Sequence, residues 1–137
     1  MHISTKYQGD LRFQSGEGIG QLTMDGAKDV GGPGEAPTPK SLVLYGLAGC
    51  TGLDIVTILA KKKVSFDSFD IEVTAEQTNT HPKTFKTIHL LFRFTGKEDD
   101  RAVMERAIKM SEKMFCGVTA MLQKSAEISW TLEINPA

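Results

Sequence analysis

Two thiols carry most of the reactive potential of this chain. Cys50 lies in LYGLAGCTGLDIVTILAKKK, residues 44 to 63, and Cys116 in KMFCGVTAMLQKSAEISWTLEI, residues 113 to 134. A thiol is a nucleophile only as the thiolate, so the question for each is what would stabilise its charge. Cys50 sits midway along an apolar helical pattern, where burial raises a thiol's pKa and no helix end helps. Asp54, one turn further on, pushes the same way. A reactive Cys50 therefore needs a cation from another segment, and the candidates are Arg12, Arg93, Arg101 and Arg106. Arg12 lies between short strand-like pieces, which can cross beneath a central helix. Cys116 stands where a helical pattern meets Gly117. At a helix C-terminus the dipole opposes a thiolate; at the N-terminus of a following helix it favours one. The sequence leaves both placements open. No CxxC pair or Cys/His cluster occurs, which argues against a zinc site.

The glycines around Cys50 need a reason. Each glycine in a helix interior costs about 1 kcal/mol relative to alanine, and Gly46, Gly49 and Gly52 recur at spacing three. Either another backbone packs closely along that stripe, or the stripe leaves room beside Cys50 for a second group or a substrate. The two readings are compatible.

The elements that must position these residues follow from periodicity. Ile3, Thr5 and Tyr7 alternate, then Leu11 and Phe13, then Leu22 and Met24, with turns expected at Gly9-Asp10 and across Gly16 to Gly20. This predicts an N-terminal β-meander. A loop rich in glycine and proline, DVGGPGEAPTP, covers residues 29 to 39. Thr38 is then a plausible N-cap before Pro39. From Lys40 to about Lys63 apolar residues lie around nearly the whole circumference, the mark of a buried central helix. Phe69, Ile71, Val73 and Ala75 alternate with polar residues, as do Ile88, Leu90, Phe92 and Phe94, which predicts a β-hairpin turning at Asn79 to Pro82. A second helix is expected from near Asp99 to Cys116, with Met114 and Phe115 on its apolar face, then a short helical piece over Val118 to Lys124. Ala126, Ile128, Trp130, Leu132 and Ile134 form the last strand. The plan is α+β, in a single domain spanning residues 1–137. One sheet covers one side of the central helix, so a partner subunit is expected on the other.

Bulk properties narrow the function. With a formal net charge of -1 and a pI near 6.3, the chain has no electrostatic bias toward nucleic acid or an anionic membrane. No signal-peptide core and no run of about 18 uncharged apolar residues occurs, so a cytoplasmic protein without a membrane span is expected. No cofactor is called for. His81 in a turn, His89 on the polar strand face and Lys61 to Lys63 at the helix end read as solvated positions. Trp130, Phe92 and Phe94 read as core or interface. The methionines, Met104, Met110, Met114 and Met121 among them, fit irregular packing or the lining of an apolar pocket.

The segments PTPKSLVLYGLAGCTGLDIVTILAKKK at 37 to 63 and KMFCGVTAMLQKSAEISWTLEI at 113 to 134 resemble the osmotically inducible protein C / organic hydroperoxide resistance family, and the resemblance runs across nearly the whole chain. It implies the OsmC-like fold and an intertwined homodimer built around two central helices. It also implies reduction of organic hydroperoxides, with Cys50 as the peroxidatic cysteine and Cys116 as the resolving cysteine. Arg12, in GDLRF, matches the arginine that stabilises the thiolate, and a dithiol reductant would restore both thiols. Two positions depart from the family's better-studied branch. Lys40 follows Pro39 where that branch has a glutamate holding the arginine, and Gly117 follows Cys116 where it tends to have proline. Glu35, four residues before Pro39, is the available substitute for the missing carboxylate. The chain is similar to a less characterised branch, for which two further roles compete with peroxidase activity. One is a slow redox sensor or a binder of an apolar small molecule; the other is a structural protein with inert thiols.

Overall fold

The computed structural model describes residues 1 to 16 and 20 to 137. The chain divides into two compact units, Met1–Tyr45 and Gly46–Ala137.

In the first unit, strands β1 (Thr5–Gly9), β2 (Arg12–Ser15) and β3 (Leu22–Asp25) form the expected antiparallel meander in the order β1-β2-β3. Its first turn is tighter than the alternation suggests. Asp10 and Leu11 both take positive φ, 49° and 54°, between the paired residues Gly9 and Arg12. Two consecutive left-handed residues make the hairpin turn whose twist matches the strands it joins. Leu11 is therefore a turn residue and not part of β2. Of the second expected turn, Gly16 to Gly20, residues 17 to 19 lie outside the described residues. The glycine- and proline-rich loop folds back on β3: the Asp25 carboxylate accepts from the backbone N–H groups of Glu35 and Ala36 at 2.9 and 3.0 Å.

Helix α1 runs from Pro39 to Lys61. Thr38 caps it as expected, its Oγ1 accepting from the Ser41 N–H at 3.3 Å. Its buried residues are Leu47, Thr51, Ile55 and Leu59, a stripe at spacing four that marks one face of a helix. On the other faces Val43, Tyr45, Leu53 and Val56 are exposed, Leu53 at 73%. Within one chain this helix is buried on a single face, not all round. Its length of 23 residues, with an 18-residue stretch of mean hydropathy 1.8, would also suit a bilayer. From Gly46 onward, however, its inner face bears on the rest of the second unit: Thr51 bonds Cys116, Asp54 bonds Ser111, and Gly52 lies against Ile71.

In the second unit, β4 (Phe66–Gln77), β5 (Phe85–Gly96) and β6 (Glu127–Ile134) form one sheet in the order β4-β5-β6. The hairpin pairing puts Phe69 opposite Phe94, Ile71 opposite Phe92, Val73 opposite Leu90 and Ala75 opposite Ile88. All eight share one face, and Phe69 stacks on Phe94 with ring centres 4.1 Å apart. β6 runs parallel to β5, with Ile128, Trp130, Leu132 and Ile134 against Ile88, Leu90, Phe92 and Phe94. A parallel return needs a crossover, and the helical segment supplies it. α2 (Arg101–Met110) buries Met104, Ala107 and Ile108. The chain then widens into a π-helical turn at Ser111–Phe115 and leaves helical geometry at Cys116, with φ -75° and ψ 102°. α3 follows at Gly117–Leu122. The expected single helix to Cys116 is thus broken earlier. The wider turn rotates Met114 and Phe115 off the core face, leaving them 69% and 53% exposed. The opposite face of the sheet is polar: Arg93 of β5 pairs with Glu72 of β4 and Glu133 of β6, and the His89 ring bonds Ser129 and Thr131 on β6.

Candidate functional site

Cys50 and Cys116 meet. One is in the middle of α1 and the other at the α2-to-α3 break, and their sulfurs, with a carboxylate oxygen of Asp54, all lie within 4.8 Å of one another. Cys50 and Asp54 are four residues apart on α1, which places them on the same helix face. Both are half-buried, whereas Cys116 is 3% exposed.

The two sulfurs have different surroundings. The extended backbone at Cys116 turns its side chain into the N-cap of α3, where Sγ accepts the Thr119 N–H at 3.3 Å. The Thr51 hydroxyl of α1 also points at this sulfur, at 3.6 Å. The open alternative about Cys116 is therefore resolved: the residue belongs to the start of α3, not to the end of α2. Burial pushes the Cys116 thiol up, but hydrogen bonds from Cys50, Thr119 and Thr51 outweigh it and leave its pKa below the ordinary thiol value. Cys50 moves the other way. Burial raises its pKa, the hydrogen bond it gives to Cys116 raises it further, and the charge of Asp54 adds to both, against one favourable contact from the Val118 N–H. Of the two, Cys116 is therefore the thiol that ionises more readily.

Asp54 is held in turn by Ser111, which is fully buried and donates from Oγ to Oδ2 at 2.9 Å. The π-helical turn brings Ser111 to this position. Thr51, Ser111 and Thr119 were not singled out by the sequence reasoning. Thr51 carried a signal, as a hydroxyl within the apolar stripe of α1. Thr119 carried another, as the third residue after Cys116, the spacing of an N-cap bond.

The glycine stripe is open where it flanks Cys50. A Cβ on Gly46 or Gly49 would meet nothing within 4 Å, and one on Gly52 would touch only Ile71, at 3.0 Å. Close backbone packing against this stripe does not occur within the described residues. Room beside Cys50 is what the two outer glycines leave.

Arg12 belongs to the N-terminal unit. Its guanidinium bonds Glu35 at 2.5 Å and lies 3.6 Å from Asp25, which is 1% exposed. The Arg–carboxylate pair whose glutamate is missing at Lys40 is thus made by Glu35. The buried Arg12 Nε and Asp25 Oδ1 have no partner among the described residues. Of the other candidate cations, Arg93 and Arg101 are engaged by Glu72, Glu133 and Glu98, and Arg106 is exposed on α2.

An α+β chain with two cysteines meeting between its long helix and a broken second helix is the arrangement that the comparisons set in a family. Residues 32–131 match the OsmC family, described as OsmC-like protein. The curated Protein YhfA of Escherichia coli K12 is 30% identical over 138 residues, covering all of both chains. This chain therefore belongs to the OsmC family. Among solved structures, one titled as an organic hydroperoxide resistance protein OsmC and predicted redox protein from Legionella pneumophila superposes with a TM-score of 0.73 at 19% identity, over 96% of this chain and 95% of that one. The organic hydroperoxide resistance protein OhrB of Bacillus subtilis superposes with a TM-score of 0.69 at 14% identity, over 96% of each chain. At these identities the likeness is one of fold.

Proposed function

We propose that this chain is a thiol-dependent peroxidase that reduces organic hydroperoxides through Cys50 and Cys116. The observation that carries this reading is the meeting of the two sulfurs within 4.8 Å, one half-buried beside the open glycine stripe and the other buried. Cys116, whose pKa is lowered, starts as the thiolate and takes the Cys50 proton as the Cys50 sulfur attacks the outer oxygen of the hydroperoxide. The O–O bond breaks, and the alkoxide takes a solvent proton and leaves as the alcohol. Cys50 is then a sulfenic acid. The Cys116 sulfur attacks it, an S–S bond forms, and the Cys116 proton leaves with the hydroxyl as water. A dithiol reductant restores both thiols by exchange. The family resemblance assigns Arg12 to thiolate stabilisation, with Glu35 in place of the glutamate replaced by Lys40. A preference for organic over inorganic peroxide follows if alkyl chains bury apolar surface, at about 0.8 kcal/mol per methylene.

The working protein in this reading is a cytoplasmic homodimer, and the exposed apolar side chains of α1 are the surface a second copy would cover. The direct test is consumption of an alkyl hydroperoxide with a lipoyl-type dithiol as reductant. Turnover no faster than that of the Cys50→Ser variant defeats the reading. The second reading, a slow redox sensor or binder of an apolar molecule, is favoured by the burial that keeps Cys50 protonated. Mass spectrometry after one equivalent of peroxide separates the two. Prompt loss of two hydrogens marks a catalytic pair, and slow oxidation at scattered residues marks the alternative.

A further inference from the structure

We propose that Cys50, Asp54 and Cys116 form a three-ligand site for a divalent cation of the zinc class. The inference goes beyond the peroxidase reading and does not depend on it. It starts from a residue that reading leaves unexplained. Asp54 stands within 4.8 Å of both sulfurs, held by the buried Ser111 hydroxyl, though the peroxidase steps give it no part.

The geometry fits. Zinc binds sulfur at about 2.3 Å and carboxylate oxygen at about 2.0–2.2 Å, so ligand atoms around a tetrahedral ion stand roughly 3.5 to 3.8 Å apart. The three donor atoms here are already within 4.8 Å of one another. A contraction of about an ångström, within reach of side-chain rotation, closes the set. Two sulfurs and an oxygen suit a borderline-soft ion better than magnesium or calcium.

The surrounding groups are those that orient ligands. Ser111 Oγ donates to Asp54 Oδ2 and so fixes the carboxylate. The Thr119 N–H and the Thr51 hydroxyl donate to the Cys116 sulfur and make it available as a thiolate, the form that binds metal. With both thiols ionised the cluster carries three negative charges, which a dication largely neutralises. Cys50 and Asp54 are half-buried, which leaves an entry path and a fourth coordination position. The spacing argument against zinc looked for ligands close in sequence. This set unites two helices from distant parts of the chain. Metal occupancy and disulfide formation use the same two sulfurs, so each excludes the other.

The test is titration of the reduced full-length protein with Co²⁺, and with Zn²⁺ in competition with a chromophoric chelator. The expected result is one ion per chain, with thiolate-to-cobalt charge-transfer absorption and the visible bands of a four-coordinate ion. Asp54→Asn should weaken binding at least tenfold while both thiols still react with a thiol reagent. Cys50→Ser and Cys116→Ser should each remove most of the charge-transfer band. Absence of that band in the reduced wild-type protein overturns the site, whatever the variants do. Undiminished affinity in Asp54→Asn overturns it too, since two thiols alone would then suffice. One ion per two chains overturns it as well.

Discussion

In the N-terminal unit Arg12 meets two carboxylates, Glu35 and Asp25; in the C-terminal unit Asp54 meets two thiols and a hydroxyl. The first cluster shares one fixed cation between its two carboxylates and is tied to backbone. Asp25 alone accepts two main-chain N–H groups that fold the following loop onto β3. The second cluster holds its charge on groups whose protons can leave and whose sulfurs can form bonds. A buried carboxylate with permanent partners makes structure; a carboxylate among thiols makes chemistry. The contrast also separates Asp25 from the two thiols by what their loss should do, stability for the first and reactivity for the others.

The largest expected effect is the loss of all measurable hydroperoxide turnover in Cys50→Ser, with a thermal transition close to that of the wild type. A large drop in melting temperature would place Cys50 among structural residues and break the contrast. Next comes α1, whose two sides should differ. Leu47→Ala empties a fully buried position and should cost about 2–5 kcal/mol in urea unfolding. Leu53→Ala, on the exposed side, should cost no more than about 0.5 kcal/mol in a lone chain. If Leu53→Lys lowers the mass seen by sedimentation, a second copy covers that side. Asp25→Ala should cost about 3 kcal/mol, since two N–H groups lose their acceptor, while Asp54→Ala should cost far less. Equal costs would erase the distinction between the clusters. The smallest effect is on acidity. Alkylation resolved by pH and mass spectrometry should find Cys116 ionising below the ordinary thiol value and Cys50 above it. Thr51→Val removes a donor to Cys116 and should move its midpoint to higher pH, with Thr51→Ser restoring it.

What the sequence disclosed depended on how local the cause was. The hairpin and the last strand were legible because alternation of period two marks a half-buried strand wherever it pairs. The parallel direction of β6 was not, because it depends on the crossover and not on the strand. The end of α2 was misread because a π-helical turn leaves the apolar spacing of Met114 and Phe115 looking helical while it turns them outward. Leu11 was misread because a left-handed turn can hold a leucine that continues an alternation. Helix α1 was read from composition as buried all round with a partner subunit on one side, and among the described residues a single chain buries its Leu47-to-Leu59 stripe. At the site, Cys50 and Cys116 stood out as the two thiols, but their pairing came from the family resemblance, since nothing in their separation says that they touch. Asp54 was noticed only as an obstacle to ionisation, because its other neighbour, Ser111, comes from a distant segment.

Cys116 holds the first turn of α3 through its sulfur. A sulfur that has been oxidised into a covalent link carries far less charge and is a poorer acceptor, so the amide of Thr119 should lose protection once Cys116 is spent. The rate at which that one amide takes up deuterium would then serve as a gauge of redox state, readable in the intact protein without any added label.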